Sequence, residues 1–223
     1  MIKTVFFDFD GTLADTARDL VAATNLQRER AGLEPMPFEA LRGYSSQGAG
    51  GLLKKALGLE KTDAAFEATR QQFLQDYYAC MTDQTVLFPG IAELLKQLEN
   101  NGYTWGIVTN KAENLSFPIF DHLGLTQRSI ANICGDTAAR PKPYPDPLFL
   151  AAERAQVEPQ DCIYIGDDAR DIIAGKAAGM ATIAVRYGYC DQPEEIASWQ
   201  ANITVDTPEQ LWQAIDILTK ESM

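Results

Sequence analysis

From Pro89 to the end of the chain, short apolar runs rich in β-branched residues alternate with stretches whose apolar residues recur every three or four positions. Tyr103 to Val108, Cys162 to Ile165 and Thr182 to Val185 read as strands buried on both faces, as does Thr4 to Phe7 near the N-terminus. Ile130 to Cys134 and Ile203 to Val205 are further strand candidates. Between them lie helical stripes: Ile91, Leu94, Leu95 and Leu98; Leu148, Phe149, Ala152 and Ala155; Leu211, Trp212, Ile215 and Leu218. Such alternation admits few folds. Each helix must carry the chain back to the end of the sheet where the next strand starts, which gives an α/β fold of three layers, a mainly parallel sheet with helices on both faces.

Residues 15–84 break the alternation. Arg18 to Arg30 and Leu52 to Leu57 read as helices, and Asp63 to Met81 carries a stripe of Phe66, Phe73, Leu74, Tyr77, Tyr78 and Met81. No strand is expected there. We therefore divide the chain into a core, residues 1–14 and 85–223, and a small all-helical domain, residues 15–84. The Gly- and Ser-rich segment from Gly43 to Gly51 is expected to be a loop of that insert, facing a ligand.

Charge narrows the partners. A formal net charge of -12 disfavours nucleic acid and anionic membrane surfaces, both of which are bound by clustered Lys and Arg. No apolar stretch reaches the length of a membrane span, and the N-terminus carries no secretory pattern, so a cytoplasmic protein is expected, monomeric or homodimeric. Cys80, Cys134, Cys162 and Cys190 match no metal-ligand spacing and read as reduced thiols. His122, the only histidine, has no nucleophile motif beside it and reads as a surface or packing residue.

The chemistry sits at strand ends. The first strand runs into Asp8-Phe9-Asp10-Gly11-Thr12, where two neighbouring carboxylates would repel unless a cation held them. Mg2+, which prefers oxygen ligands, suits that role. Gly11 allows a sharp turn and brings main-chain amides near an anion. The second strand of the alternation ends in Thr109-Asn110-Lys111, a hydroxyl and an amide suited to phosphate oxygens. Lys142, between Pro141 and Pro143, offers a positive charge on a stiff backbone. Cys162 to Ile165 ends in Gly166-Asp167-Asp168, with Asp171 three residues on. In open α/β sheets ligands bind at these carboxyl ends, so the set implies a magnesium-dependent site for a small phosphate ester.

In these four groups the chain resembles the haloacid dehalogenase superfamily. Asp8-Phe9-Asp10-Gly11-Thr12 matches its first motif, Thr109 its second, Lys142 its third, and Gly166-Asp167-Asp168 with Asp171 its fourth. The resemblance spans nearly the whole chain and implies a Rossmann-like core with a helical cap between the first two motifs. It implies Asp8 as nucleophile and Asp10 as general acid and base. Mg2+ would be held by the side chains of Asp8 and Asp167 and the main-chain carbonyl of Asp10, with Asp168 and Asp171 ordering its waters. Phe9 and Gly11 amides, Thr109, Asn110 and Lys142 would bind phosphate. Arg42, Gly43, Ser45, Ser46 and Gln47 of the cap would set specificity.

An acid at position 10 favours phosphoryl transfer over dehalogenation, where no leaving group needs a proton. The branch resemblance implies a phosphatase acting on 2-phosphoglycolate. Arg42-Gly43, Trp105 to Lys111 and Val185 to Tyr189 look closer to a group acting on N-acetylmuramic acid 6-phosphate. A phosphomutase of the β-phosphoglucomutase type is a further alternative. A non-catalytic phosphate-binding or signalling domain is the alternative outside the enzymes; it would need neither the cap nor Asp10.

Overall fold

A computed structural model describes residues 2–190 and 193–222. The chain opens with β1 (Thr4–Phe7) and β2 (Ala14–Asp15). Four helices follow: α1 (Ala17–Arg30), α2 (Phe38–Arg42), α3 (Gly48–Leu57) and α4 (Phe66–Cys80). Next come β3 (Val86–Leu87), α5 (Ile91–Asn100), β4 (Thr104–Val108), α6 (Glu113–His122) and β5 (Asn132–Ile133). The remainder is α7 (Asp146–Ala155), β6 (Cys162–Gly166), α8 (Ala169–Ala177), β7 (Ala181–Val185), β8 (Ile203–Val205) and α9 (Leu211–Glu221).

Among the described residues the main sheet has six parallel strands in the order β5-β4-β1-β6-β7-β8. Alternate β1 side chains feed different layers. Val5 and Phe7 pack with Leu94 and Leu98 of α5, Ile119 and Phe120 of α6, and Leu211 and Ile215 of α9. Phe6 packs on the opposite face with Leu148, Ala151 and Ala152 of α7 and Ala174 of α8. All three β1 side chains are fully buried, worth roughly 1.5–3 kcal/mol each in transfer free energy. From β1 the chain leaves toward β4, and from β6 it leaves in the other direction toward β7. The crevice between the carboxyl ends of β1 and β6 is thus the place where such a sheet binds ligands.

The insert packs α1 against α4. Gln27 and Arg30 of α1 both bond Asp76 of α4, the amide at 2.6 Å. Where the insert leaves and rejoins the core, β2 and β3 pair antiparallel, Ala14 with Leu87 and Asp15 with Val86. This two-residue ribbon is not legible in the sequence, being too short to show a period. Buried Asp19 fixes its far end by accepting from the N–H groups of Gln84 and Thr85 and from the Thr85 hydroxyl.

Some expected details shift. Residues 48–51 form the first turn of α3, so the expected loop is reduced to a turn and a short 3-10 helix, Ser45–Gln47. Phe149 is exposed, and Ala151 takes its place in the buried stripe of α7. Tyr78 is likewise exposed while Phe73 and Tyr77 are buried. Among the described residues no helix is long and apolar enough to cross a membrane.

Candidate active site

At the carboxyl end of β1 the chain turns sharply, with the Phe9 carbonyl accepting from the N–H groups of Thr12, Leu13 and Ala14. Gly11 adopts a φ of 86°, and a Cβ there would stand 2.2 Å from Asp167 Oδ2. No other residue fits, and the turn lets Asp167 close up behind Asp8. Oxygens of Asp8, Asp167 and Asp171 come within 4.8 Å of one another.

One ammonium serves this cluster. Lys142 Nζ lies 2.9 Å from Asp8 Oδ1, 2.7 Å from Asp171 Oδ1, 2.7 Å from Tyr164 Oη and 2.9 Å from the Val108 carbonyl. The Asn110 carboxamide holds the lysine in place, accepting from the Lys142 N–H and donating to its carbonyl, both at 2.9 Å. Asp167 is fully buried and accepts from Thr12 Oγ1, Ser46 Oγ and the Tyr189 N–H. Of these three buried carboxylates, Asp8 and Asp171 thus share one buried cation, while Asp167 is held by neutral donors.

Burial pushes the Asp8 carboxyl up to about 7, with Asp171 and Asp10 adding to the shift and Lys142 opposing it. Burial also lifts Asp167 well above the usual carboxylate range, with Asp8 and Asp171 contributing. An oxygen-only cluster with surplus negative charge fits a divalent cation such as Mg2+. It also sets a pH dependence. Folded Asp8 keeps its proton to about 7, whereas the unfolded carboxyl loses it near 3.8, so between these values the folded state binds more protons. Stability of the metal-free protein is therefore expected to fall as pH rises from about 4 to about 7. Each kcal/mol corresponds to about 2–4 °C in Tm for a chain of this size. Thermal melts should show the decline, reversed by Mg2+ and reduced in Asp8→Asn; a decline unaffected by that variant would refute the assignment.

Asp10 lies two residues further along. Its Oδ1 accepts from Thr16 Oγ1 at 2.5 Å and from Lys111 Nζ at 2.8 Å. Burial disfavours the Lys111 ammonium, but Asp10 and Tyr77 together outweigh it and hold the group charged beyond the ordinary lysine range. Lys111 also lies 4.8 Å from the centroid of the Tyr77 ring in α4, joining core to insert.

A cavity of about 990 Å3 opens over these groups, bounded by the core on one side and the insert on the other. Asp8, Asp10, Thr109, Asn110, Lys142, Asp168 and Asp171 line it, with Ser45, Ser46 and Gln47 opposite. Phe66, Phe73, Leu74 and Tyr77 give it an apolar wall.

Several expected site residues make contacts other than those the resemblance implies, and some do not line the cavity. The Gly11 N–H donates to the Ala14 carbonyl at 3.0 Å, so it stabilises the turn instead of pointing at a ligand. The Asn110 side chain is committed to Lys142, leaving one amide hydrogen and the main chain for an anion. Asp171, expected to order waters, holds Lys142 and accepts from the Asp168 N–H. Asp168 caps α8 and pairs with Arg170. Arg42 and Gly43 do not line the cavity: Arg42 reaches the carbonyls of Tyr187 and Gly188. His122 is exposed at the end of α6. Sequence reasoning assigned no role to Lys111, Tyr164 or Arg170. Tyr164 carries a signal, as the one hydroxyl in the apolar run Cys162 to Ile165, and Lys111 directly follows the Thr109-Asn110 pair at the end of β4.

Comparison with known proteins places this arrangement. The model of the haloacid dehalogenase-like hydrolase family matches residues 5–185. The N-acetylmuramic acid 6-phosphate phosphatase of Pseudomonas aeruginosa is 40% identical over 215 residues, covering 96% of this chain and 95% of the relative. The phosphoglycolate phosphatase of Xanthomonas campestris pv. campestris is 42% identical over 212 residues, 95% of each chain. A crystal structure of a predicted phosphoglycolate phosphatase from Haemophilus somnus superposes with a TM-score of 0.84 at 25% identity, covering 96% of this chain and 97% of that one.

Proposed function

The chain belongs to the haloacid dehalogenase-like hydrolase family and is a phosphatase of it, and from that premise we propose that it hydrolyses 2-phosphoglycolate through an aspartyl-phosphate on Asp8. The observation that carries this reading is the position of Asp8 at the switch point of the sheet, with its oxygens among Lys142, Asp167 and Asp171 and its open side on the cavity.

In the first half-reaction an Asp8 oxygen bonds to phosphorus as the ester P–O bond breaks, and Asp10 gives its proton to the departing alkoxide. In the second, water attacks the same phosphorus, Asp10 takes the proton, and Asp8 is released with inorganic phosphate. Thr109 and Lys142 neutralise charge on the non-bridging oxygens, where the transition state spreads it. Asp8 and Asp167 would hold Mg2+, which when bound lowers the repulsion between a carboxylate and a phosphate dianion. Asp171 holds Lys142, and Asn110 holds its loop. The helices of residues 15–84 act as the cap, whose wall excludes bulk water from the reacting groups.

Asp10→Asn is expected to lower kcat/KM for alkyl phosphates by about 10²–10⁴-fold, the usual worth of a positioned proton donor. The kcat/KM for p-nitrophenyl phosphate, which reports only the transfer to Asp8, should fall much less, because that phenol leaves without a proton. Equal losses on both esters would argue against Asp10 as the acid.

A second reading, N-acetylmuramic acid 6-phosphate, is favoured by the Pseudomonas relative and by a cavity larger than a two-carbon acid requires. Assays of both esters with Mg2+ decide between them. The proposal expects the higher kcat/KM for 2-phosphoglycolate; a far higher value for the sugar phosphate would overturn it.

A further inference from the structure

Two separate contacts from the insert converge on Asp167. Ser46 Oγ donates directly to Asp167 Oδ2 at 3.2 Å. Arg42 acts through the loop that follows β7. Its Nη1 donates to the Gly188 carbonyl at 2.8 Å and its Nη2 to the Tyr187 carbonyl at 3.0 Å, while the guanidinium lies 5.0 Å from the centroid of the Tyr189 ring. That loop presents the Tyr189 N–H to the same oxygen, Asp167 Oδ2, at 2.8 Å. It has no room to drift, since a Cβ at Gly188 would stand 2.3 Å from Asp167 Cβ and 2.6 Å from the Gly11 carbonyl. The Tyr187 hydroxyl donates to the Thr12 carbonyl, and the Tyr189 hydroxyl to Asp15 Oδ1 in the ribbon where the insert begins. From the core side, Arg170 Nη2 returns a bond to the Ser46 carbonyl at 2.6 Å.

We propose that Arg42 and Ser46 are positioning residues that couple the seating of the helical insert to the orientation of Asp167, so that insert closure and cation binding strengthen each other. The inference rests on reading Asp167 as a cation ligand. The physical requirement is that a ligand carboxylate be held in one rotamer before the cation arrives, and outer contacts supply that hold. Here two of the hydrogen bonds that fix Asp167 exist only while the insert is seated or depend on a loop the insert grips. Linkage then makes the effect reciprocal: what closure does for the cation, the cation does for closure. Arg is suited to the grip, because its planar fork spans two neighbouring carbonyls and lysine cannot.

The test is calorimetric titration of Mg2+ into the full chain, for the wild type, Arg42→Ala, Arg42→Lys and Ser46→Ala. Alongside it, hydrogen exchange of the residue 42–47 amides is followed with and without Mg2+. Both alanine variants are expected to bind Mg2+ more weakly by on the order of tenfold, a usual size for coupled sites, and Arg42→Lys should not restore the affinity. Mg2+ should slow exchange at 42–47 in the wild type and lose that effect in Arg42→Ala. Mg2+ affinities within twofold of wild type in Ser46→Ala and in whichever Arg42 variants fold would overturn the coupling, as would exchange at 42–47 that ignores Mg2+. A wild type that binds Mg2+ with this exchange response yet releases no phosphate from p-nitrophenyl phosphate would instead refute the proposed hydrolysis and leave the coupling standing.

Discussion

Replacing Asp8 with Asn is expected to lower phosphate release from every ester, p-nitrophenyl phosphate included, by at least about 10³-fold, the scale seen when a covalent nucleophile is removed. The breadth of the loss is the diagnostic part. An acid matters in proportion to how badly the leaving group needs a proton, whereas a nucleophile is needed for all of them. The amide keeps the shape of the carboxyl group and can still accept from Lys142 Nζ, which stands 2.9 Å from Asp8 Oδ1. It also removes a carboxyl that burial already pushes up to about 7, so the variant should fold at least as well as the wild type in metal-free buffer at neutral pH. Steady-state rates together with a thermal melt separate the two effects: lost turnover with an intact melt supports the assignment, and retained turnover refutes it.

Lys142→Met is expected to damage both fold and function. The ammonium is buried and contacts two carboxylates, a hydroxyl and a main-chain carbonyl. Removing one partner of a buried ion pair leaves the other uncompensated, at a cost of about 3–5 kcal/mol. Here Asp8 and Asp171 would both be stranded beside Asp167. For a chain of this size the penalty corresponds to a fall in Tm of ~6–20 °C. The loss should be greater at high pH, where the stranded carboxyls must ionise, and smaller when Mg2+ is present to replace part of the missing charge. Turnover should also fall by about 10²–10³-fold, the usual result of removing one group that stabilises developing charge. Melts and rates measured across pH, with and without Mg2+, check both parts; a variant as stable as wild type at about pH 8 would contradict the charge balance described for the cluster.

The sheet was legible because its strands are buried on both faces. Cys162–Gly166 is a continuous buried run between two helices, and such runs stand out against amphipathic neighbours. The strand ends were legible for a related reason: Asp8, Thr109 and Asp167 interrupt apolar runs with polar groups, which only a site or a turn explains. What escaped were features fixed by tertiary contact. The ribbon of Ala14–Asp15 and Val86–Leu87 is held by a pairing between residues about seventy apart and by buried Asp19, with no local period. Residues 48–51 join a helix despite three glycines of low helix propensity, because α3 is held by packing of Leu52, Leu53 and Ala56 in the core. Arg42 illustrates the limit most clearly. A cation at the start of a cap segment suggests a substrate contact, and only its contact with the Tyr187 and Gly188 carbonyls, far along the chain, shows that it grips the core instead.

The most direct test of the account is to find the phosphoryl group on the protein. Asp10→Asn, lacking the base that activates water, should accumulate the intermediate when mixed with Mg2+ and p-nitrophenyl phosphate. Acid quenching within the first turnovers, followed by proteolysis and mass spectrometry, is expected to place one phosphoryl group on the peptide containing Asp8, and none in the Asp8→Asn variant. A phosphoryl group on any other side chain, or steady phosphate release from a protein that carries none at any quench time, would contradict the central claim.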